Sequence, residues 1–180
     1  YEMVDIQNQI RKSKVPVIIM FAGVDGAGKH ETVDLLNEWM DPRWLKTRAY
    51  GESTEEELLR PEMWKYWRDL PGEGEIGLFL SAWNSKPLLN RVKGEIDHEE
   101  FEGELKKIDA FEKTLVDNGS LILKFWMHLD RDKQKERLVK LSSNDLLAWQ
   151  IKASDWENIN LYQKFMSAAE KMVARKGSLP

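Results

Sequence analysis

The apolar run Val15-Pro16-Val17-Ile18-Ile19-Met20-Phe21-Ala22 leads directly into Gly23-Val24-Asp25-Gly26-Ala27-Gly28-Lys29-His30. From Lys29 onward Val33, Leu36, Trp39 and Met40 recur at three- to four-residue spacing until Asp41-Pro42. This order predicts a strand, a glycine turn and a helix. The strand is β-branched and nearly unbroken in its hydrophobicity, as expected of a parallel strand covered on both faces, with Pro16 tolerable only near its start. The loop nearly matches G-x-x-x-x-G-K-[S/T], in which backbone N–H groups and the positive end of the following helix hold phosphate oxygens. Gly23, Gly26, Ala27, Gly28, Lys29 and Thr32 are therefore the candidate phosphate-binding residues, Lys29 supplying a mobile point charge. A glycine-rich turn with an incidental lysine is the plain alternative, but it leaves the agreement of spacing, lysine and flanking elements unexplained. His30 stands where a hydroxyl would meet Mg²⁺, a cation that prefers oxygen. Asp25 is the better metal candidate, or it orients a nucleophile, or it only bonds its own turn.

The rest of the chain repeats the alternation. Leu45 to Tyr50, Ile76 to Leu80 and Leu121 to Leu129 read as strands, the last introduced by Asn118-Gly119. Ser53 is expected to cap a short acidic helix start, and Arg60 to Leu70 is expected to be helical. Pro71-Gly72-Glu73-Gly74 reads as a turn. Residues 81–118 read as a polar loop and then an amphipathic helix with Leu105, Ile108, Phe111 and Leu115 inward. Two helices follow, from Arg131 to about Leu141 and from about Ser154 to Arg175. The implied fold is α/β, a three-layer αβα sandwich with a mostly parallel sheet and a helical lid at about 84–118. Ligands in such sheets gather at the carboxyl ends of the strands.

The chain of 180 residues suits one core. Its 27 Lys and Arg against 31 Asp and Glu oppose a nucleic-acid-coating role, although a local basic track remains open. No apolar run reaches the roughly 18 residues of a membrane helix. Zero cysteines exclude disulfides and thiol chemistry and fit a reducing, cytoplasmic setting. Tyr1-Glu2-Met3-Val4-Asp5 carries neither an initiator methionine nor a signal pattern, and the sequence stops at Ser178-Leu179-Pro180. The expectation is one module, 1–180, truncated at both ends of a longer chain.

The loop Phe21-Ala22-Gly23-Val24-Asp25-Gly26-Ala27-Gly28-Lys29 resembles the Gly-x-Asp-x-x-Gly-Lys loop of the polyphosphate kinase 2 family. The likeness continues through Leu70-Pro71-Gly72-Glu73-Gly74-Glu75-Ile76-Gly77-Leu78-Phe79, Phe111-Glu112-Lys113-Thr114-Leu115, Leu123-Lys124-Phe125-Trp126-Met127-His128-Leu129 and Trp149-x-x-x-x-Ser154-Asp155-Trp156. With Leu36 to Arg43 and the Trp-rich Arg60 to Trp64, it is most similar to the N-terminal module of the tandem polyphosphate:AMP phosphotransferases. The resemblance implies P-loop phosphoryl transfer from polyphosphate to AMP giving ADP, with Mg²⁺, with Asp25 and Lys29 as catalytic residues, and with Asp25 on the metal. It also implies a second homologous module in the same chain, with an oligomer of this chain as a further partner. A buried strand and helix are expected to follow downstream.

One stretch departs from that pattern. Where active modules carry Phe-Asp-Arg-Ser-Trp-Tyr-Asn-Arg, this chain has Phe79-Leu80-Ser81-Ala82-Trp83-Asn84-Ser85-Lys86. Leu80 replaces the metal-holding carboxylate, and Ser81 and Lys86 replace two arginines. Phosphoryl transfer rests on positioning and charge stabilisation, so weak or no catalysis by the module alone is expected. A fully competent polyphosphate-dependent nucleotide kinase and a non-catalytic phosphate-binding or interface module are the alternatives. Arg48 and Lys86 are the candidate anion contacts, among the scattered bases Arg60, Lys65, Arg68 and Lys124. Trp64, Trp67, Trp83 and Trp126 are expected to pack, His128 to support, and the acidic run 95–104 to be a solvated helix start.

Overall fold

The structure is a computed structural model that describes residues 2–175; Tyr1 and Ser178-Leu179-Pro180, read above as cut ends, lie outside them. Four strands form one all-parallel sheet: β1 (Val17–Gly23), β2 (Leu45–Ala49), β3 (Ile76–Leu80) and β4 (Leu121–Met127), in the order β2-β3-β1-β4. The helices are α1 (Glu2–Ser13), α2 (Lys29–Trp39), α3 (Glu55–Leu58), α4 (Trp64–Asp69), α5 (Ser85–Lys93), α6 (His98–Asp117), α7 (Arg131–Ser142), α8 (Ala153–Asn160) and α9 (Tyr162–Ala174). Strands consecutive in the chain are joined by helical crossovers, as parallel pairing requires, and only the β2–β3 crossover joins sheet neighbours.

Side-chain alternation divides the core in two. Val17, Phe21, Ile76, Leu78 and Leu80 pack with Val33 and Met40 on one face, with Met3 and Ile10 of α1 at its margin. On the other face Ile18, Met20 and Phe79 meet Tyr66, Trp83, α5, α6 and the small residues Ala168 and Ala169 of α9. Trp83, 2% exposed, sits edge-on to Tyr66, Phe79 and Phe111. Its indole N–H donates at 2.8 Å to Glu112, a buried carboxylate that also takes Lys124 at 2.6 Å. Glu112→Ala would strand a buried N–H and a partly exposed ammonium. It is expected to lower unfolding free energy by about 2 kcal/mol in a denaturant titration.

Several element ends differ from expectation for local reasons. β1 starts at Val17, because Pro16 has no N–H and offers only its carbonyl, which accepts from Leu121 at 2.9 Å. β4 ends at Met127, since the Leu129 carbonyl accepts from the Tyr162 hydroxyl. The cap of α3 is Thr54 rather than Ser53: Thr54 and Glu57 form a reciprocal capping box, and Ser53 Oγ lies 3.2 Å from Lys65 Nζ. Helix over 60–70 is confined to α4, and the expected helix over 154–175 is two helices meeting at Leu161. The run 95–104 opens α6 behind an Asp97–Glu100 capping box. β2 and β4 are the edge strands among the described residues, and on β4 Leu123 and Phe125 are exposed.

Residues 84–118, the expected lid, form α5 and α6. Leu88, Val92, Phe101, Leu105, Ile108, Phe111 and Leu115 bury their apolar faces in the core. That burial makes the segment a wall of the core. Asn84 and Ser85, at the start of this segment, line the cavity above the glycine loop, which α8 reaches through Asn158 and α7 through Arg137.

Candidate functional site

The loop between β1 and α2 lies at the carboxyl edge of the sheet, beside the ends of β3 and β4. Two glycines are required here for different reasons. At Gly23, φ is +129° and a Cβ would lie 1.9 Å from the carbonyl oxygen of Met127, so the closeness of β4 excludes any side chain. Gly28, at φ +87° and ψ +18°, caps α2 in the left-handed region, and a Cβ there would meet Glu31 Oε2 and Met127 Cε at 4.0 Å without a clash. Gly28 and the first-turn N–H groups of α2 lie at the positive end of that helix, a geometry able to meet an anion.

Lys29 is 8% exposed, and its ammonium donates to the carbonyls of Gly23 and Val24, at 2.8 Å each. Burial holds its pKa below the ordinary lysine value, opposed by the carboxylates of Asp25, Asp155 and Glu31. Asp25 lies 3.9 Å from Lys29 Nζ, with about a third of its side chain exposed. Its Oδ2 accepts at 2.8 Å from Asn158 Nδ2 of α8, a bond across 133 positions of sequence. Thr32 turns its hydroxyl back to donate to the Gly28 carbonyl at 2.9 Å, and His30 is exposed. Gly26 and Ala27 complete the turn, with Ala27 N–H donating to the Val24 carbonyl.

A cavity of about 190 Å³ opens above the loop. Gly23, Asp25, Lys29, Ser81, Asn84 and Asp155 are among its lining. This is below the roughly 300–1,000 Å³ usual for drug-sized ligands and suits a compact anion. Ser81 turns the chain out of β3 at φ +52°, a left-handed conformation costly for a non-glycine residue. Asp155 accepts from the Lys152 N–H at 2.8 Å, and burial together with the neighbouring Asp25 charge raises its pKa.

Leu80 is 5% exposed and belongs to the apolar cluster under α2, so the carboxylate-bearing position of the family pattern is here a core position. Neither candidate anion contact reaches the loop cavity. Arg48 pairs with Asp69 at 3.5 Å in a separate cavity of about 380 Å³, shared with Lys65 and Arg68. Lys86 is exposed beside Glu62, Glu100, Glu104 and Lys107. Lys124 is committed to Glu112, and Arg60 pairs with Glu56 and stacks on Trp64. His128 meets the Tyr162 hydroxyl at 3.3 Å.

Sequence reasoning assigned no role to Asp155, Asn158, Asn84 or Arg137. Arg137 of α7 pairs with Glu31 and lies against Gly26, which puts a guanidinium beside the loop. The sequence signals for α8 were the helical pattern from about Ser154 and the Ser154-Asp155-Trp156 triplet within the resemblance; its proximity to Asp25 depends on the fold of the whole chain.

Asp25, Asp155, Ser81 and Ser85 bring oxygens to the cavity, beside the Lys29 and Lys152 ammonium groups and Met172, and oxygen ligands suit Mg²⁺ better than a transition metal. Among the described residues no group of three or more His, Cys, Asp or Glu is arranged to hold a metal, and none is needed. Mg²⁺ is commonly held by one or two carboxylates plus substrate phosphates. No helix among the described residues is long and apolar enough to cross a membrane.

The family model "Polyphosphate kinase 2 (PPK2)" matches residues 1–178. The chain is 38% identical over 172 residues to a polyphosphate:AMP phosphotransferase of Pseudomonas syringae pv. tomato, covering 96% of this chain and 34% of that one. It is 39% identical over 165 residues to a polyphosphate:AMP phosphotransferase of Pseudomonas aeruginosa, covering 92% and 33%. Its fold matches a crystal structure reported as a polyphosphate kinase 2 from Pseudomonas aeruginosa PA01, with a TM-score of 0.81 and 37% identity over 96% of this chain and 34% of that one. The chain therefore spans about a third of the length of these relatives.

Proposed function

Because the chain belongs to the polyphosphate kinase 2 family, we propose that it is a polyphosphate:AMP phosphotransferase module that grips a phosphate chain at Gly23–Lys29 and, alone, passes phosphoryl groups to AMP only slowly. One observation carries this reading. The glycine loop and Lys29 stand intact at the end of β1, while at the end of the adjacent β3 Leu80 is buried where a carboxylate would be needed. The names of the relatives from two Pseudomonas species support AMP as acceptor. That the chain spans about a third of their length supports a place within a longer protein, and the sequence resemblance of Leu36 to Arg43 and Arg60 to Trp64 supports the N-terminal module of a tandem.

On this reading, Lys29 leaves the Gly23 and Val24 carbonyls to meet a phosphoryl oxygen, and the first-turn N–H groups of α2 hold the neighbouring oxygens. Asn158 fixes the Asp25 carboxylate, and α8 covers the site together with Asn84 and Ser85 at the start of the 84–118 segment. Mg²⁺ would be held by Asp25, and when bound it offsets charge between phosphoryl oxygens. Thr32 contributes through its contact with Gly28, whereas Arg48 and Lys86 lie on tracks leading away from the loop.

The purified chain, assayed for ADP from AMP, polyphosphate and Mg²⁺, is expected to turn over well below the roughly 1 s⁻¹ lower range of kinases. What little it does should depend on Lys29. Lys29-dependent turnover at about 1 s⁻¹ or faster would overturn the slow-module reading. Absence of any Lys29-dependent binding of tripolyphosphate would overturn the phosphate-loop reading altogether.

A further inference from the structure

The loss of a carboxylate at position 80 raises the question of whether the chain supplies one from elsewhere. The cavity above the loop has two carboxylates, Asp25 from the loop and Asp155 from α8. They carry like charge in a partly buried space, an arrangement that costs free energy unless a cation or proton lies between them. Two ammonium groups, Lys29 and Lys152, line the same cavity and offset part of that charge; Lys29 donates to carbonyls and comes no closer to Asp25 than 3.9 Å.

An independent feature of the same cavity points the same way. Asn84 is 7% exposed, lines the cavity, and its Oδ1 has no hydrogen-bond partner among the described residues. A buried amide oxygen without a donor is costly and is usually satisfied by something bound. Ser81 and Ser85 add hydroxyl oxygens to the lining. An amide oxygen, hydroxyls and two carboxylates form a hard-donor set with no soft member.

Resting on the phosphate-loop reading above, we propose that Asp155 of α8 supplies the second carboxylate of a divalent-cation site with Asp25, in place of the carboxylate that Leu80 cannot provide. The consequence is that cation binding in this chain is tied to α8. In the family pattern the carboxylate stands on a core strand and is fixed. Here it rides on an element anchored to the loop through the Asn158–Asp25 hydrogen bond. A cation that bridges Asp25 and Asp155 therefore fastens α8 over the loop and offsets the negative charge that would otherwise repel a phosphate chain.

The test is direct Mn²⁺ binding by the whole chain, followed by electron paramagnetic resonance, with calorimetric binding of tripolyphosphate measured with and without Mg²⁺. Asp155→Asn keeps an acceptor for the Lys152 N–H, so α8 retains its first-turn bond. Its metal-free unfolding midpoint checks that the fold is kept. Asp155→Asn and Asp25→Asn are each expected to weaken Mn²⁺ binding about tenfold or more. Asp117→Asn, a change of equal charge at the exposed end of α6, is expected to leave Mn²⁺ binding unaltered. Asp155→Ser, which also keeps a first-turn acceptor, should reproduce the loss. In wild type Mg²⁺ should strengthen tripolyphosphate binding, and in Asp155→Asn that increment should vanish while metal-free binding is at least as tight. Wild-type Mn²⁺ affinity in Asp155→Asn, or no Mn²⁺ binding by wild type, overturns the proposal even if Lys29-dependent tripolyphosphate binding remains. Loss of that Lys29-dependent binding would instead bring down the phosphate-loop reading.

Discussion

Replacing Lys29 by alanine is expected to reduce tripolyphosphate affinity, and any polyphosphate-dependent formation of ADP, by about 100-fold or more, in line with losing one preorganised charge at a transferring phosphoryl group. The ammonium is buried at the mouth of the cavity, so it meets an anion with little water between them. Calorimetry on wild type and variant measures the effect. A loss of less than about threefold would mean that the loop grips phosphate through its backbone alone. The same lysine carries a pH signature. Burial depresses its pKa, so the folded chain binds fewer protons than the unfolded chain between the depressed value and the ordinary 10.5. Stability contributed at this position therefore rises with pH through that window, and the penalty for the buried charge is fully present below it. Denaturant titrations of wild type against Lys29→Met should show the wild type gaining ground as pH rises toward 10.5.

Gly23→Ala is expected to cost about 3 kcal/mol or more in unfolding free energy, the largest stability loss for so small a change in this chain. A Cβ at this position would lie 1.9 Å from the Met127 carbonyl, and the added residue would also have to hold φ +129°. The Met127 carbonyl accepts from the Val24 N–H at 3.2 Å, so separating the strands to make room would also break the bond that starts the loop. Chemical denaturation provides the number. A cost below about 1 kcal/mol would show that the end of β4 yields freely. The companion change Gly28→Ala faces no such clash, only the left-handed φ, and should cost about 1–2 kcal/mol.

The two glycines show how one motif can require glycine for two different reasons. Glycines in such a loop are expected to let a ligand approach the backbone. Gly28 fits that account, but Gly23 is held by the neighbouring strand, which nothing local to residues 15–30 reveals. The strand–turn–helix unit itself was legible because β-branched residues, glycines and a 3.6-residue period act over short distances. β3 was read at its full extent for the same reason. Thr54 displaced Ser53 as a cap because both residue types can serve, and the choice depends on which one aligns with Glu57.

Legible in the residues alone were the parallel α/β order, the glycine loop with Lys29 at its end, and a leucine, Leu80, where the resembled pattern has a carboxylate. These follow from local propensity, hydrophobic period and residue chemistry. Only the tertiary structure decided what faces the loop. It carried Arg48 and Lys86 to other cavities, packed 84–118 into the core, and brought Asp155 and Asn158 to Asp25 from the far end of the chain. Such contacts depend on how crossover helices stack on the sheet, through apolar burial summed over dozens of side chains, and no short stretch of sequence encodes that sum.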